Sequence, residues 1–110
     1  MSSAAESDAI VVLTTLGADA DAASLARTLV DERLAACVNI LPVMLSVYRW
    51  KGAVEQEREQ QLVIKTAADR LPALEARVRE LHPYELPEFL VLPASGSRAY
   101  LDWLAAESRR

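Results

Sequence analysis

Residues 43–66, VMLSVYRWKGAVEQEREQQLVIKT, read as two extended arms joined at Lys51-Gly52, with no breaker inside either arm. The second arm alone, 53–66, spans roughly 46 Å at ~3.3 Å per residue, whereas a compact chain of this length is roughly 34 Å across. The hairpin therefore projects from its own domain. With Lys51-Gly52 as the turn, Trp50 faces Ala53, Tyr48 faces Glu55, Ser46 faces Glu57 and Met44 faces Glu59. The other face sets Val43, Leu45 and Val47 against Gln56, Arg58 and Gln60. One arm is apolar on both sides and its neighbour polar on both, so a lone copy leaves a contiguous apolar strip in water, which soluble monomers seldom tolerate. The expected remedy is self-association. The competing arrangement lays the hairpin flat over its own domain with Trp50 tucked underneath.

The rest of the chain sets the body that carries this arm. At 110 residues, 52% hydrophobic and 25% charged, it is sized for one domain, assigned to 9–110, after an N-terminal tail at 1–8 that is read as disordered. Twelve basic residues against sixteen acidic ones give a net charge of −4, scattered and without a basic patch, so nucleic acid is not expected as a partner. No stretch is long and apolar enough for a membrane span, and MSSAAESD lacks the features of a secretion signal, so a cytoplasmic setting is expected. The single cysteine, Cys37 in LAACVNIL, reads as a small buried hydrophobe.

The apolar run AIVVL at 9–13 predicts a strand buried on both faces and ending at Thr14-Thr15-Leu16-Gly17. Asp19, Asp21 and Ser24 offer caps for a helix whose apolar positions recur from Ala22 to Leu34. A second strand starts near Ala36, with Pro42 marking an edge or bulge before the hairpin. Asp69 is the expected cap of a second helix carrying Leu71, Leu74, Val78 and Leu81, with Pro72 in its first turn. Phe89-Leu90-Val91-Leu92 forms the fourth strand, and a short helix follows Ser97. The order β-α-β-β-α-β predicts an α+β, ferredoxin-like split βαβ sandwich with both helices on one face. The strands at 10–13 and 89–92 look buried on both faces although the helices cover only one, so the open face requires a cover, a second argument for association.

Several segments carry a resemblance to a known family. ERLAAC at 32–37, NILP at 39–42, SVYRWKG at 46–52, Glu59, LVIKT at 62–66, HPYELPE at 82–88 and YLDWL at 100–104 are similar to the CutA divalent-cation tolerance proteins. The resemblance implies a cytoplasmic homotrimer whose long strands pair between subunits, an architecture shared with PII-type signalling proteins. It also implies a link to copper or another divalent cation. It places Glu59 with Tyr84 and Trp103 near a cleft between subunits. In family members implicated in copper binding, a cysteine stands where this chain has Thr14 and a histidine where it has Leu81.

His82 is the only histidine and the one candidate metal ligand, and with nearby carboxylates it offers a weak, oxygen-rich site. The cleft candidates are Glu59, His82, Tyr84 and Trp103. Glu55, Glu57 and Glu59 alternate along one strand face and gather there as a hard-cation site or as solvated and cross-paired charges, with Arg33 or Arg58 as partners of Glu59. Trp50 and Trp103 read as packing residues. No phosphate loop or nucleophile elbow is present, so no enzymatic activity is expected. Three function classes follow: a trimer associated with metal tolerance, directly or through an unidentified protein partner, a PII-like sensor of a small metabolite in a cleft between subunits, and a signalling or scaffold trimer that presents its surfaces to a partner.

Overall fold

The computed structural model describes residues 8–109; the expected tail at 1–8 lies outside them except for Asp8. Strand β1 (Ala9–Gly17) is followed by α1 (Ala22–Asp31), β2 (Cys37–Ile40), β3 (Met44–Trp50) and β4 (Ala53–Ala67). A 3-10 turn at Ala68–Arg70 leads into α2 (Leu71–Leu81), then β5 (Leu90–Pro93) and α3 (Arg98–Ser108). The sheet is antiparallel, in the order β2, β4, β1, β5, and β3 continues along the same edge of β4 as β2. This is the α+β, ferredoxin-like arrangement, with its second strand split at 41–43 around Pro42.

The hairpin register is the one its sequence predicts, from Trp50 opposite Ala53 to Met44 opposite Glu59. Lys51 and Gly52 take φ of 49° and 85°, so both turn residues are left-handed, as a tight twisted hairpin requires. The arm projects, stretching the molecule to 49 Å along its longest axis. Its outer face is bare, with Leu45 and Val47 60% and 59% exposed. Trp50 stays half-buried at the tip rather than tucked beneath the domain.

One face of the sheet carries the core. Ile10, Val12 and Leu16 of β1 and Leu62 and Ile64 of β4 pack with Leu25 and Leu29 of α1 and Leu74 and Val78 of α2. Helix α1 stops earlier than its apolar pattern suggests. Arg33 takes φ 57°, Leu34 N–H donates to the Leu29 carbonyl at 2.9 Å and Arg33 N–H to that of Val30 at 3.0 Å. This Schellman reversal satisfies the helix end and still buries Leu34. At its other end Asp21 accepts from Ser24 N–H at 3.0 Å.

Other expectations need correction. β1 runs on to Gly17, because the β-branched Thr14 and Thr15 suit a strand that still has β4 to pair with. β5 begins at Leu90 and is an edge strand bonded only to β1, so Leu90 and Leu92 are exposed in a single copy instead of buried on both faces. Asp69 caps no helix; its carboxylate takes Arg109 Nε at 2.9 Å, beside Asp8, which Arg109 also holds. Cys37 is half-buried, its thiol 3.8 Å from Asn39 Oδ1.

Thr14 alternates with Val12 and Leu16 and therefore faces the helices, where its hydroxyl is fully buried with no hydrogen-bond partner among the described residues. An isosteric Thr14→Val removes that orphan. The variant is expected to gain about 1–2 kcal/mol, seen as a raised denaturation midpoint at fixed protein concentration; an unchanged or lowered midpoint contradicts the assignment.

Candidate functional site

β5 pairs only with Ile10–Leu13 of β1, so the far half of β1 has a vacant edge beside it. The segment 82–89 turns around that edge. His82, the C-cap of α2, is buried there, with Nε2 2.6 Å from the Thr15 carbonyl and Nδ1 accepting from Tyr84 N–H at 3.1 Å. A carbonyl can only accept, so Nε2 carries the proton. Both ring nitrogens are thus engaged, and the ring stands against that of Tyr84 with centroids 4.8 Å apart.

With its backbone pinned by His82, Tyr84 reaches across the open face of the sheet and donates its hydroxyl to Glu59 Oε2 at 2.7 Å. Glu59 is only 6% exposed and forms no ion pair among the described residues. Arg33 instead meets Glu107 at 3.6 Å. Next to it, Gln61 Nε2 donates to the Thr14 carbonyl at 2.8 Å and to Glu88 Oε2 at 2.9 Å, tying the far end of the segment to β4.

Between this segment and the hairpin lies an open cleft of about 1070 Å³. Met44, Ser46, Tyr48 and Trp50 of β3 form one wall, Glu57, Glu59 and Gln61 of β4 the floor, and residues 83–88 the other wall. Of the cleft candidates from the sequence, Glu59 and Tyr84 line it, while His82 lies buried behind Tyr84 and does not. Trp103 does not line the cleft; it lies exposed on α3, its ring 5.4 Å from that of Tyr100. Thr14 points into the core and Leu81 is exposed on α2. Among the described residues no group of three or more His, Cys, Asp and Glu side chains is gathered closely enough to hold a metal ion. The roles of Gln61 and Glu88 escaped the sequence reading, since nothing in their spacing signals a contact across the cleft floor.

Burial, reinforced by the bond to Glu59 and the charges of Glu59 and Glu57, pushes the Tyr84 hydroxyl far above its ordinary value of 10.0. The folded chain therefore holds this proton more tightly than the unfolded chain. The associated stability is complete below about pH 10 and is lost as pH rises toward the folded-state value. Alkaline absorbance titration is expected to show Tyr84 ionising well above the ordinary tyrosine value, with Glu59→Gln bringing it earlier. Unchanged titration in that variant would contradict the pairing.

A family model described as CutA1 divalent ion tolerance protein matches residues 10–107. This chain belongs to the CutA1 family. The divalent-cation tolerance protein CutA of Thermus thermophilus is 50% identical over 95 residues, 86% of this chain and 92% of that protein. A solved CutA from Nostoc sp. PCC 7120, described as PII-like and in apo form, superposes with a TM-score of 0.84 at 38% identity, over 91% of this chain and 97% of that one. The Archaeoglobus fulgidus CutA, described as a periplasmic divalent cation tolerance protein, does so with a TM-score of 0.86 at 26% identity, over 92% and 99%. The CutA1 fold thus accounts for the whole body of the chain, including the projecting hairpin.

Proposed function

We propose that this CutA1 chain acts as a homotrimer in divalent-cation tolerance, without catalysing a reaction, and that the cleft beside the hairpin carries its activity rather than a closed metal centre within one subunit. The observation behind the trimer is the arm, whose apolar outer face has nothing to cover it in a single copy. The apolar β5 edge, with Leu90 and Leu92 bare, supplies a second uncovered surface that a neighbouring copy would bury. Sedimentation at micromolar protein tests this. A species at three times 12.1 kDa is expected, and a well-folded monomer would end the reading.

For the metal, the double engagement of His82 argues against its ring as a primary ligand. Copper(II) or zinc contacts, where they occur, then fall weakly on carboxylates. Titration of His82→Ala with copper(II) should match the native protein; heat lost in that variant would restore His82 as a ligand. The second reading, a PII-like sensor of a small metabolite, is favoured by the cleft itself, and thermal-shift screening with nucleotides, organic acids and amines checks it. We place the protein in the cytoplasm, which cell fractionation tests; no helix among the described residues is long and apolar enough to cross a membrane. An unidentified protein partner remains the alternative route to tolerance, to be sought by pull-down with the assembled protein.

A further inference from the structure

We propose that Gln60 sets the pitch of the projecting arm, and with it the closure of the ring of copies. This rests on the homotrimer reading and names the positioning residue on which that assembly depends.

The arm leaves the body at Glu59–Gln61, and there the ladder thins on both flanks. On one side pairing stops at Ile40 opposite Leu62 and resumes at Met44 opposite Glu59. The gap is crossed by Leu41 N–H, which donates to the Gln61 carbonyl at 2.9 Å. On the other side β1 ends at Gly17 opposite Glu59. Backbone pairing is thus sparsest where the arm's leverage is greatest.

A side chain makes up the deficit. Gln60 alternates with Leu62 and Ile64 and so faces the helix side, where the loop at 18–20 leads from β1 into α1. Its half-buried amide nitrogen donates to the carbonyls of Gly17 at 2.9 Å, Ala20 at 3.1 Å and Ala18 at 3.4 Å. Carbonyls only accept, so the nitrogen and not the oxygen of the amide meets them. The loop itself is firmly placed: Ala18 N–H donates to the Arg58 carbonyl at 2.9 Å, Ala20 packs against the core and Asp21 caps α1. Three carbonyls anchored to the body thus grip one atom at the base of the arm, and a swing of the arm draws that atom away from them.

From Gln60 to Ala53 the arm measures roughly 23 Å at ~3.3 Å per residue, so a change of about 10° at its root displaces the tip by about 4 Å, more than one strand step. A slip of one residue turns every side chain of a strand to the opposite face. In a ring of three the contact between copies is heterologous, and such contacts close only at the matching rotation and otherwise run on as open chains. The bare Leu45 and Val47 make copies adhere, whereas the pitch held by Gln60 decides whether the ring shuts.

Two measurements on the full-length protein test this. Native mass spectrometry compares it with Gln60→Met, which keeps the length and loses the donor, Gln60→Glu, which sets a carboxylate against three carbonyls, and Gln60→Lys, whose ammonium offers an N–H to each. The native protein and Gln60→Lys are expected at three times 12.1 kDa, and Gln60→Met and Gln60→Glu as a spread of smaller and larger assemblies of folded chains. If Gln60→Glu fails to fold, Gln60→Met carries the test. Pulsed electron-spin distances read the pitch itself, with labels at Ala53→Cys on the tip and Ala23→Cys on α1, in a Cys37→Ser background co-assembled with excess unlabelled chain. A narrow distribution is expected with Gln60 in place and a broadened or displaced one in Gln60→Met. A single trimer mass in Gln60→Met, even with a lowered unfolding midpoint, or an unaltered distance distribution overturns the proposal and leaves the trimer standing. A native protein found as a folded monomer ends the trimer reading and the role in closure together, while the spin distances still show whether Gln60 holds the arm.

Discussion

Placing glutamate at Leu45 and Val47 together is expected to convert the proposed trimer into folded single chains of 12.1 kDa. In one copy these side chains are 60% and 59% exposed, so charging them costs the isolated fold almost nothing. In an assembly they are covered, and each contributes about 2 kcal/mol of buried apolar surface. Losing both removes about 4 kcal/mol from each interface, roughly a thousandfold in association, before the cost of burying the new charges. Sedimentation reads the mass and circular dichroism the fold. An intact trimer in the double variant would show that this face of the arm lies outside the interface.

His82→Ala is expected to cost about 3 kcal/mol, by leaving the buried Thr15 carbonyl and the Tyr84 N–H without partners and opening a void beneath the ring. The loss should appear in denaturant unfolding at fixed protein concentration, since the proposed assembly would couple the midpoint to concentration. Loss of the anchor also frees Tyr84 from Glu59, so tyrosine ionisation in the variant should begin at lower pH. A metal-ligand role for His82 without a structural one predicts the reverse pattern: near-native stability and lost copper affinity.

Much of this was legible in the sequence because the hairpin's period-two alternation and its Lys51-Gly52 turn leave a single consistent register. The helix caps were half legible. Asp21 serves, one of the three caps offered, and Ser97, after which the last helix was expected to start, caps it; each accepts from the backbone N–H three residues on. Asp69 does not, because the more distant Arg109 competes for its carboxylate, a contact no local pattern encodes. The strand assignment at 9–13 fell short at Thr14 because two threonines before a glycine resemble a turn until a pairing partner is known. In the site, Glu59 and Tyr84 came through the family resemblance and His82 by being the sole histidine. Its engagement at both nitrogens was not legible, since Thr15 lies far away along the chain and bonds through its backbone.

One strand holds the body and the arm together. β4 runs unbroken from the tip at Ala53 to the core at Ala67, and β1, β2 and β3 all bond to it. Such a beam cannot hinge where the arm leaves the body without breaking ladder bonds on both flanks. In the proposed trimer, any message passing from an occupied cleft to neighbouring copies therefore travels by deflection of the short segment at 83–88, while the arms serve as fixed struts.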